Sequence, residues 1–434
     1  MPDFDIFTNR CTITASIELE TPLRIGGGQN AAAYSISAAP VIQTFNAKTK
    51  IYEPYIPGSS LKGVLRSTVE RIIRTFNEKE SCISIGAGQK PCGDCISCAI
   101  FGSMDAGAKV RVRDAHLLNK SGILVKEQPH CATLYDRDLN PIKDYKNRVK
   151  TSLRMEETVA SGVCFNIQID IDNAKDIEIG LVLLALDEFN KKRIQLGGGA
   201  SRGNGFADIN LKSVTKKLIS DSLKISEVHQ DSAELMKDAK KYLKSIDSGK
   251  DSTRRDFDVY FNAHAPIIEG QIPDGHIVTR LKVTTLKDFI MPGAEEATVT
   301  GGGGLHVIPG STIKGFFRHT LIAKELKADT IKEIFGFTDN HRGRLLVSDA
   351  YSDDLEEYDR IPKDSELKMW MVFDNMTKEE IGLISDIIKN GNNIVTGRTS
   401  SKLNTKTGEV LANLVKIEFE KLEIFRISSY LAGI

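Results

Sequence analysis

Four cysteines crowd one short stretch: Cys82, Cys92, Cys95 and Cys98, in the spacing C-x9-C-x2-C-x2-C. Four thiolates so placed can close a tetrahedral site around Zn2+, and a short loop with no core of its own needs such a crosslink. The same spacing admits two other readings, an iron–sulfur cluster or reduced thiols in a flexible loop. A closed four-thiolate site leaves no open coordination position, so it reads as structural rather than catalytic. Cys11, Cys131 and Cys164 read as plain thiols, and no cysteine follows Cys164.

A second chemical signal is written twice. YIPGSSLKGVLR (55–66) and VIPGSTIKGFFR (307–318) repeat Ile-Pro-Gly-Ser, Lys, Gly and Arg at fixed offsets. Pro-Gly turns the chain, and Ser59 and Ser60, or Ser311 and Thr312, can cap a helix. Lys62 and Lys314 then fall in its first turn, with Arg66 and Arg318 one turn further on. A helix N-terminus with free N–H groups, hydroxyls and a cation suits phosphate. The segment GGGASRGNG (197–205), with Arg202, can also cradle phosphate, or it can be only a flexible turn between a helix and a strand. Its counterpart TGRTSSKLNTKTG (396–408) loses glycines but keeps charge in Arg398 and Lys402. No Gly-Lys-Ser/Thr ends either loop, and no Ser-His-Asp order, HExxH or dinucleotide fingerprint stands out. An independent metabolic enzyme has no motif behind it.

Elements must position these groups. Alternation predicts strands over 11–20, 108–117 and 163–171, and amphipathic spacing predicts helices over 61–77 and 179–192. TPLRIGGGQN (21–30) is a Gly-rich break, and LGGGASRGNGFADINL (196–211) a turn followed by a last strand. Residues 119–158 are polar, basic and aromatic with poor periodicity, which reads as a projection from the core. The Lys-, Ser- and Asp-rich 212–253 reads as a linker carrying a surface helix or two. The second copy then starts at DFDVYFNAHAPIIEG (256–270). IFG recurs (100–102, 334–336), and VRVRDAH (110–116) returns as RLLVSDAY (344–351). A duplication of this length means two domains of one kind. The order strand, helix, strand, strand, helix, strand predicts an α+β chain of two ferredoxin-like or RRM-like domains with insertions. The expected division is 1–213, a linker over 214–253, and 254–434.

Bulk properties set limits. The 434 residues are 41% hydrophobic and 27% charged, ordinary for a soluble globular protein of two domains. Zero net charge argues against a strongly basic nucleic-acid binder but permits a local basic groove. Such a bias exists at Lys48, Lys50, Lys62, Arg66, Arg71 and Arg74, against Glu53 and Glu70. No apolar run approaches about 18 residues, and the N-terminus lacks an apolar signal core. A cytoplasmic protein with no membrane partner is expected, its cysteines metal ligands or free thiols rather than disulfides.

Taken in order, IPGSSLKGVLR, CAIFGS (98–103), VRVRDAH and LGGGASRGNGFADI resemble the RAMP superfamily of CRISPR effector proteins, and the order is met twice. The Cys loop leading into Phe-Gly, the strand ending in Arg-Asp-Ala and the long insert look most like backbone subunits of type III complexes. Two such domains in one chain resemble the fused double-backbone subunit of type III-D systems. The resemblance implies a guide RNA-binding subunit that recognises target RNA beside neighbouring backbone and other effector subunits. Thumb-like projections would push through the guide–target duplex, the first from 119–158 and the second from 271–304. Arg24, Gly26 and Gly27 join Ser59, Ser60, Lys62, Arg66, Arg202, Ser311, Thr312, Lys314, Arg318 and Arg398 as expected RNA contacts.

Some backbone subunits of this family cut target RNA with an Asp in the loop after the first Gly turn. Here Ser37 or Ala38 stands at that position, which implies an inactive first site. In the second copy Asp274 is the nearest match, with Glu296 and Asp288 as alternatives. A carboxylate there would hold Mg2+ or orient the target 2′-hydroxyl while cations offset phosphorane charge. Asp274 also fits an ordinary Pro-Asp-Gly turn. A purely structural RNA-binding module and a stand-alone guide-processing endoribonuclease are the rival readings.

Overall fold

The computed structural model describes residues 6–28, 39–84, 90–118, 125–133, 140–148, 150–219, 225–247, 276–289, 307–337, 341–352, 361–374, 376–390, 394–396, 402–403, 410–411 and 413–425. Strand β1 (Asn9–Leu19) buries Cys11, Ile13, Ala15, Ile17 and Leu19 and turns the residues between them outward, the period of a sheet covered on one face. A small ribbon, β2 (Gln43–Asn46) and β3 (Ile51–Pro54), precedes helix α1 (Gly58–Phe76). After it come α2 (Ile96–Phe101), β4 (Val110–Val112) and β5 (His116–Leu117). A long hairpin of β6 (Val125–Thr133) and β7 (Thr151–Val159) leads to β8 (Cys164–Asp172), α3 (Asp176–Asn190) and β9 (Ala207–Ile219). Then follow β10 (Ile225–His229) and α4 (Ser232–Ile246).

The second half repeats the plan. It runs β11 (His276–Thr285), β12 (Val307–Ile308), α5 (Gly310–Ala323) and α6 (Ala328–Phe335). A ribbon of β13 (Gly336–Phe337) and β14 (His341–Arg342) precedes β15 (Leu345–Val347) and β16 (Ala350–Tyr351). Next come β17 (Glu366–Phe373), α7 (Lys378–Asn390) and β18 (Ile394–Thr396). A second ribbon, β19 (Lys402–Leu403) with β20 (Val410–Leu411), leads to β21 (Asn413–Phe425). The first sheet is ordered β10-β9-β1-β8-β4 and the second β12-β16-β17-β11-β21-β18, with β5 on β8 and β15 on β17. In each half the last long strand lies beside the first, then comes the third, then the short second. This is the antiparallel order expected of a ferredoxin-like βαββαβ unit. Both first strands carry a bulge against the last, at Thr14/Ala15 and at Arg280/Leu281.

Two expectations need correction. The linker expected from 214 is structured well past that point. β9 continues to Ile219, β10 pairs with it, and Leu235, Ala239 and Leu243 of α4 join the first core against α3. The close fit explains why: a Cβ on Gly180 of α3 would lie 2.1 Å from the Leu235 carbonyl oxygen. The stretch 256–270, where the second copy was expected to start, lies outside the described residues; the long central strand described in this half is β11. From Thr279 to Thr285 buried and partly exposed residues alternate, and Val278 adds one buried residue on the other face, where it packs with Phe206. The proposed insertion 271–304 therefore contains a central strand, and its remainder beyond 289 lies outside the described residues. By contrast, the described part of 119–158 is a two-stranded sheet of its own, paired from Val125↔Val159 to Thr133↔Thr151.

Candidate functional site

The duplicated phrase builds the same corner twice. Pro57 and Pro309 stand at the N-cap positions of α1 and α5, and neither helix has a side-chain cap there. The expected serine caps are absent because Pro occupies the capping position and Ser59, Ser60, Ser311 and Thr312 fall inside the first turn. A carboxylate from the neighbouring strand replaces them. The Gly58 N–H donates to Asp114 Oδ1 at 2.7 Å, and the Gly310 N–H to Asp349 Oδ1 at 2.7 Å. Negative charge at a helix N-terminus is stabilising. Bridges between Ile56 and Ala115 and between Ile308 and Ala350 hold each corner. Both glycines are forced by close approach. A Cβ on Gly58 would lie 2.1 Å from Val112 O, and one on Gly310 2.4 Å from Ser348 O. The aspartate of RDAH and SDAY was visible as a repeated landmark, but its capping role was not.

The second glycine of the phrase behaves differently. Gly63 and Gly315 sit inside the helices, beside Lys62 and Lys314, and a Cβ on either would meet no described atom within 4 Å. Gly63 is exposed. The Lys62 ammonium is pushed below its usual range by burial and then by Arg66. Lys314 reaches across the molecule, its Nζ donating to Ser201 O at 3.3 Å.

The Gly-rich turn of the first half is therefore partly a joint. Gly203 would place a Cβ 2.0 Å from Ser348 Cα, so the turn lies against the second sheet. Phe206 packs with Val278, Leu346 and Val372, and Trp370 closes the cluster. Arg202 donates to Glu156 Oε2 at 2.6 Å, and Arg24 lies 3.7 Å from the same oxygen. One carboxylate thus gathers two of the expected phosphate-binding cations. Gly26 bridges Val41 and the Gly27 N–H donates to Pro40 O, which pins the strap after β1. Arg398 lies outside the described residues.

The four-cysteine expectation has a geometric counterpart. Sulfurs of Cys82, Cys92, Cys95 and Cys98 lie within 4.8 Å of one another. Cys82 is 3.5 Å from Cys98 and 3.6 Å from Cys95, and Cys92 is 4.0 Å from Cys98. Tetrahedral zinc with ligands at about 2.3 Å separates its sulfurs by about 3.8 Å, so this donor set fits that ion. Burial pushes the Cys82 thiol up; at Cys92 burial is outweighed by the Asp94 and Cys95 N–H groups, bringing it to about 7. Arg66 turns toward this cluster. Its guanidinium donates to Glu70 at 2.8 Å, Gly102 O at 2.9 Å and Cys98 Sγ at 3.6 Å. Glu70 also receives the Ser84 N–H and hydroxyl, tying the loop to α1. Burial pushes the Cys11 thiol up to about 12, as suits a plain core residue.

Of the expected acid positions, Ser37, Ala38, Asp274 and Glu296 lie outside the described residues. Asp288 is exposed and accepts the Lys363 N–H at 2.9 Å, a turn contact. Among the described residues no helix is long and apolar enough to cross a membrane.

Comparison with known proteins agrees with this duplicated geometry. A relative named CRISPR system Cms endoribonuclease Csm3, from Methanocaldococcus jannaschii, is 30% identical over 207 residues, 45% of this chain and 77% of its own length. Proteins of the same name match from Methanothermobacter thermautotrophicus, at 28% over 46% of this chain and 83% of theirs, and from Streptococcus thermophilus, at 32% over 44% and 83%. The RAMP superfamily profile matches twice, over residues 16–208 and 283–422, and each match contains one IPGS helix start with its aspartate. With two such domains and Csm3-like homology, the chain belongs to the RAMP superfamily.

Proposed function

We propose that the chain is a double backbone subunit of a type III CRISPR effector complex, fused as in type III-D systems, that holds guide RNA and meets target RNA. The observation that carries this reading is the glycine kept inside both helices. A helix-interior Gly costs roughly 1 kcal/mol relative to Ala, and nothing described in the protein needs it at 63 or 315. Beside Lys62 with Ser59, and Lys314 with Ser311, it lets an RNA backbone lie directly against each helix. Binding through phosphates and sugars would be indifferent to sequence. The β6–β7 hairpin is the proposed first thumb, and the cysteine cluster a structural Zn2+ site.

Replacing both glycines, Gly63→Ala with Gly315→Ala, should raise the urea midpoint yet weaken binding of guide-length RNA by about tenfold. Unchanged affinity in fluorescence anisotropy would remove the glycines from the RNA path. Cleavage, if the complex cuts, belongs to the second copy with Asp274 and Mg2+. Assembled complex given labelled complementary RNA and Mg2+ should lose its cut on Asp274→Ala; a cut that survives assigns the chemistry elsewhere. Ser37 and Ala38 at the first acid position favour the second reading, an RNA-binding module without nuclease activity.

A further inference from the structure

Among the described residues of β1, β4 and β8 no aromatic side chain faces outward. The outward side chains pair with one another: Arg10 with Asp172 at 2.7 Å, Arg113 with Asp170 at 2.9 Å, Arg111 with Asp172, and Thr12 with Asp170 at 2.9 Å. The one aromatic residue of β1 and β8, Phe165, is fully buried. Exposed aromatic rings occur instead on the β2–β3 ribbon. Phe45 is 53% exposed and Tyr52 41%, and they face each other across the ribbon with ring centroids 5.4 Å apart. Lys48 and Lys50 occupy the exposed turn beyond them.

The ribbon is built to hold those rings still. Asn46 Nδ2 donates to Glu53 Oε2 at 2.9 Å, Thr49 Oγ1 donates to Glu53 Oε1 at 3.0 Å, and the Lys48 N–H donates to Asn46 Oδ1 at 3.0 Å. At its foot the Val41 N–H donates to Glu157 Oε2 at 2.9 Å, which fixes the ribbon to the base of the long hairpin. At the same foot Tyr55 stacks on His116, centroids 6.0 Å apart, just before the IPGS corner. The two rings meet edge to face, yet each keeps about half of its surface open to water. Aromatic faces beside paired cations are what single-stranded nucleic acid requires, a stacking surface plus charge for the adjoining phosphates.

We infer that the β2–β3 ribbon is a nucleobase-stacking site for single-stranded RNA, in which Phe45 and Tyr52 take unpaired bases and Lys48 and Lys50 take the flanking phosphates. The inference rests on the RNA-binding reading above but adds a site outside the two helix starts. It predicts sequence tolerance, since every base has a face to stack.

The test uses the full chain with a fluorescein-labelled single-stranded RNA and the same RNA carrying abasic positions. Phe45→Ala with Tyr52→Ala should weaken the intact RNA by about tenfold or more, and Tyr52→Phe should restore what Tyr52→Ala removes. On the abasic RNA the alanine variant and the parent should bind alike. Lys48→Ala with Lys50→Ala should instead lower the salt slope, by about 0.7 for each phosphate no longer neutralised. Equal losses on intact and abasic RNA, or no loss on either, overturn the stacking site. A change in sedimentation with RNA affinity intact would make the ribbon a protein-binding surface and equally overturn it. A parent chain that binds neither RNA defeats the RNA-binding reading itself, whereas a parent that binds while the alanine variant is unaffected defeats the ribbon alone.

Discussion

Arg66 joins two features that looked separate along the chain. It belongs to the duplicated phrase, yet its guanidinium ends at Cys98 Sγ and Gly102 O rather than at a solvent-facing phosphate site. A cation beside clustered thiols favours the thiolate form that a metal needs. Arg318 holds the same place in a half without cysteines, so this use of the arginine is private to the first domain. Bound metal should be about one zinc per chain, and Cys95→Ser should remove most of it because three thiolates no longer close the site. Metal content measured on the purified variant checks this, and full retention would dismiss the cluster as a zinc site. Of the acids, only Asp288 lies among the described residues, where it serves a turn.

At the scale of elements, the helix starts show why one glycine of the phrase differs from the other. Gly58 and Gly310 are pressed onto the strand that supplies the capping aspartate, whereas Gly63 and Gly315 face open space. Gly58→Ala should therefore lower stability by roughly 1–3 kcal/mol, the cost of overpacking against backbone that cannot rotate away. The sign is opposite to that expected of Gly63→Ala, and urea unfolding of the two variants side by side distinguishes them. The sequence showed both glycines at the same spacing but not this difference, because only the strand's position reveals which one has a neighbour. Likewise α4 read as a surface helix in a linker. Its apolar stripe of Leu235, Ala239 and Leu243 is short, and only α3 shows what it covers.

For the molecule as a whole, the joint between halves is asymmetric. The first half's Gly-rich turn and Phe206 cover the outer face of the second sheet, where Val278, Leu346, Val372 and Trp370 form an apolar patch. The corresponding face of the first sheet carries the Arg10, Arg113, Asp170 and Asp172 ion pairs instead. Lys192 and Arg280 both lie over the Trp370 ring, at 6.0 and 4.6 Å from its centroid. Phe206→Ala should leave a cavity there and cost about 3–5 kcal/mol of coupling. Calorimetry should then resolve two unfolding transitions; one unchanged transition would show that the halves are coupled through other surfaces.

Local spacing alone determined the repeat, the βαββαβ order, the cysteine cluster and the helix at each IPGS corner. These depend on neighbours in the chain, on periodicity and on residue types that few conformations accept. Tertiary structure decided that Asp114 and Asp349 cap the helices, that Arg66 serves the thiols, and that the Gly-rich turn is a joint. Each of those depends on surfaces brought together from distant positions. β11 keeps its alternation from Thr279 to Thr285, and what breaks it is Val278, buried on the other face against Phe206 of the first half; no pattern within about ten residues of chain can report a face covered by the other domain.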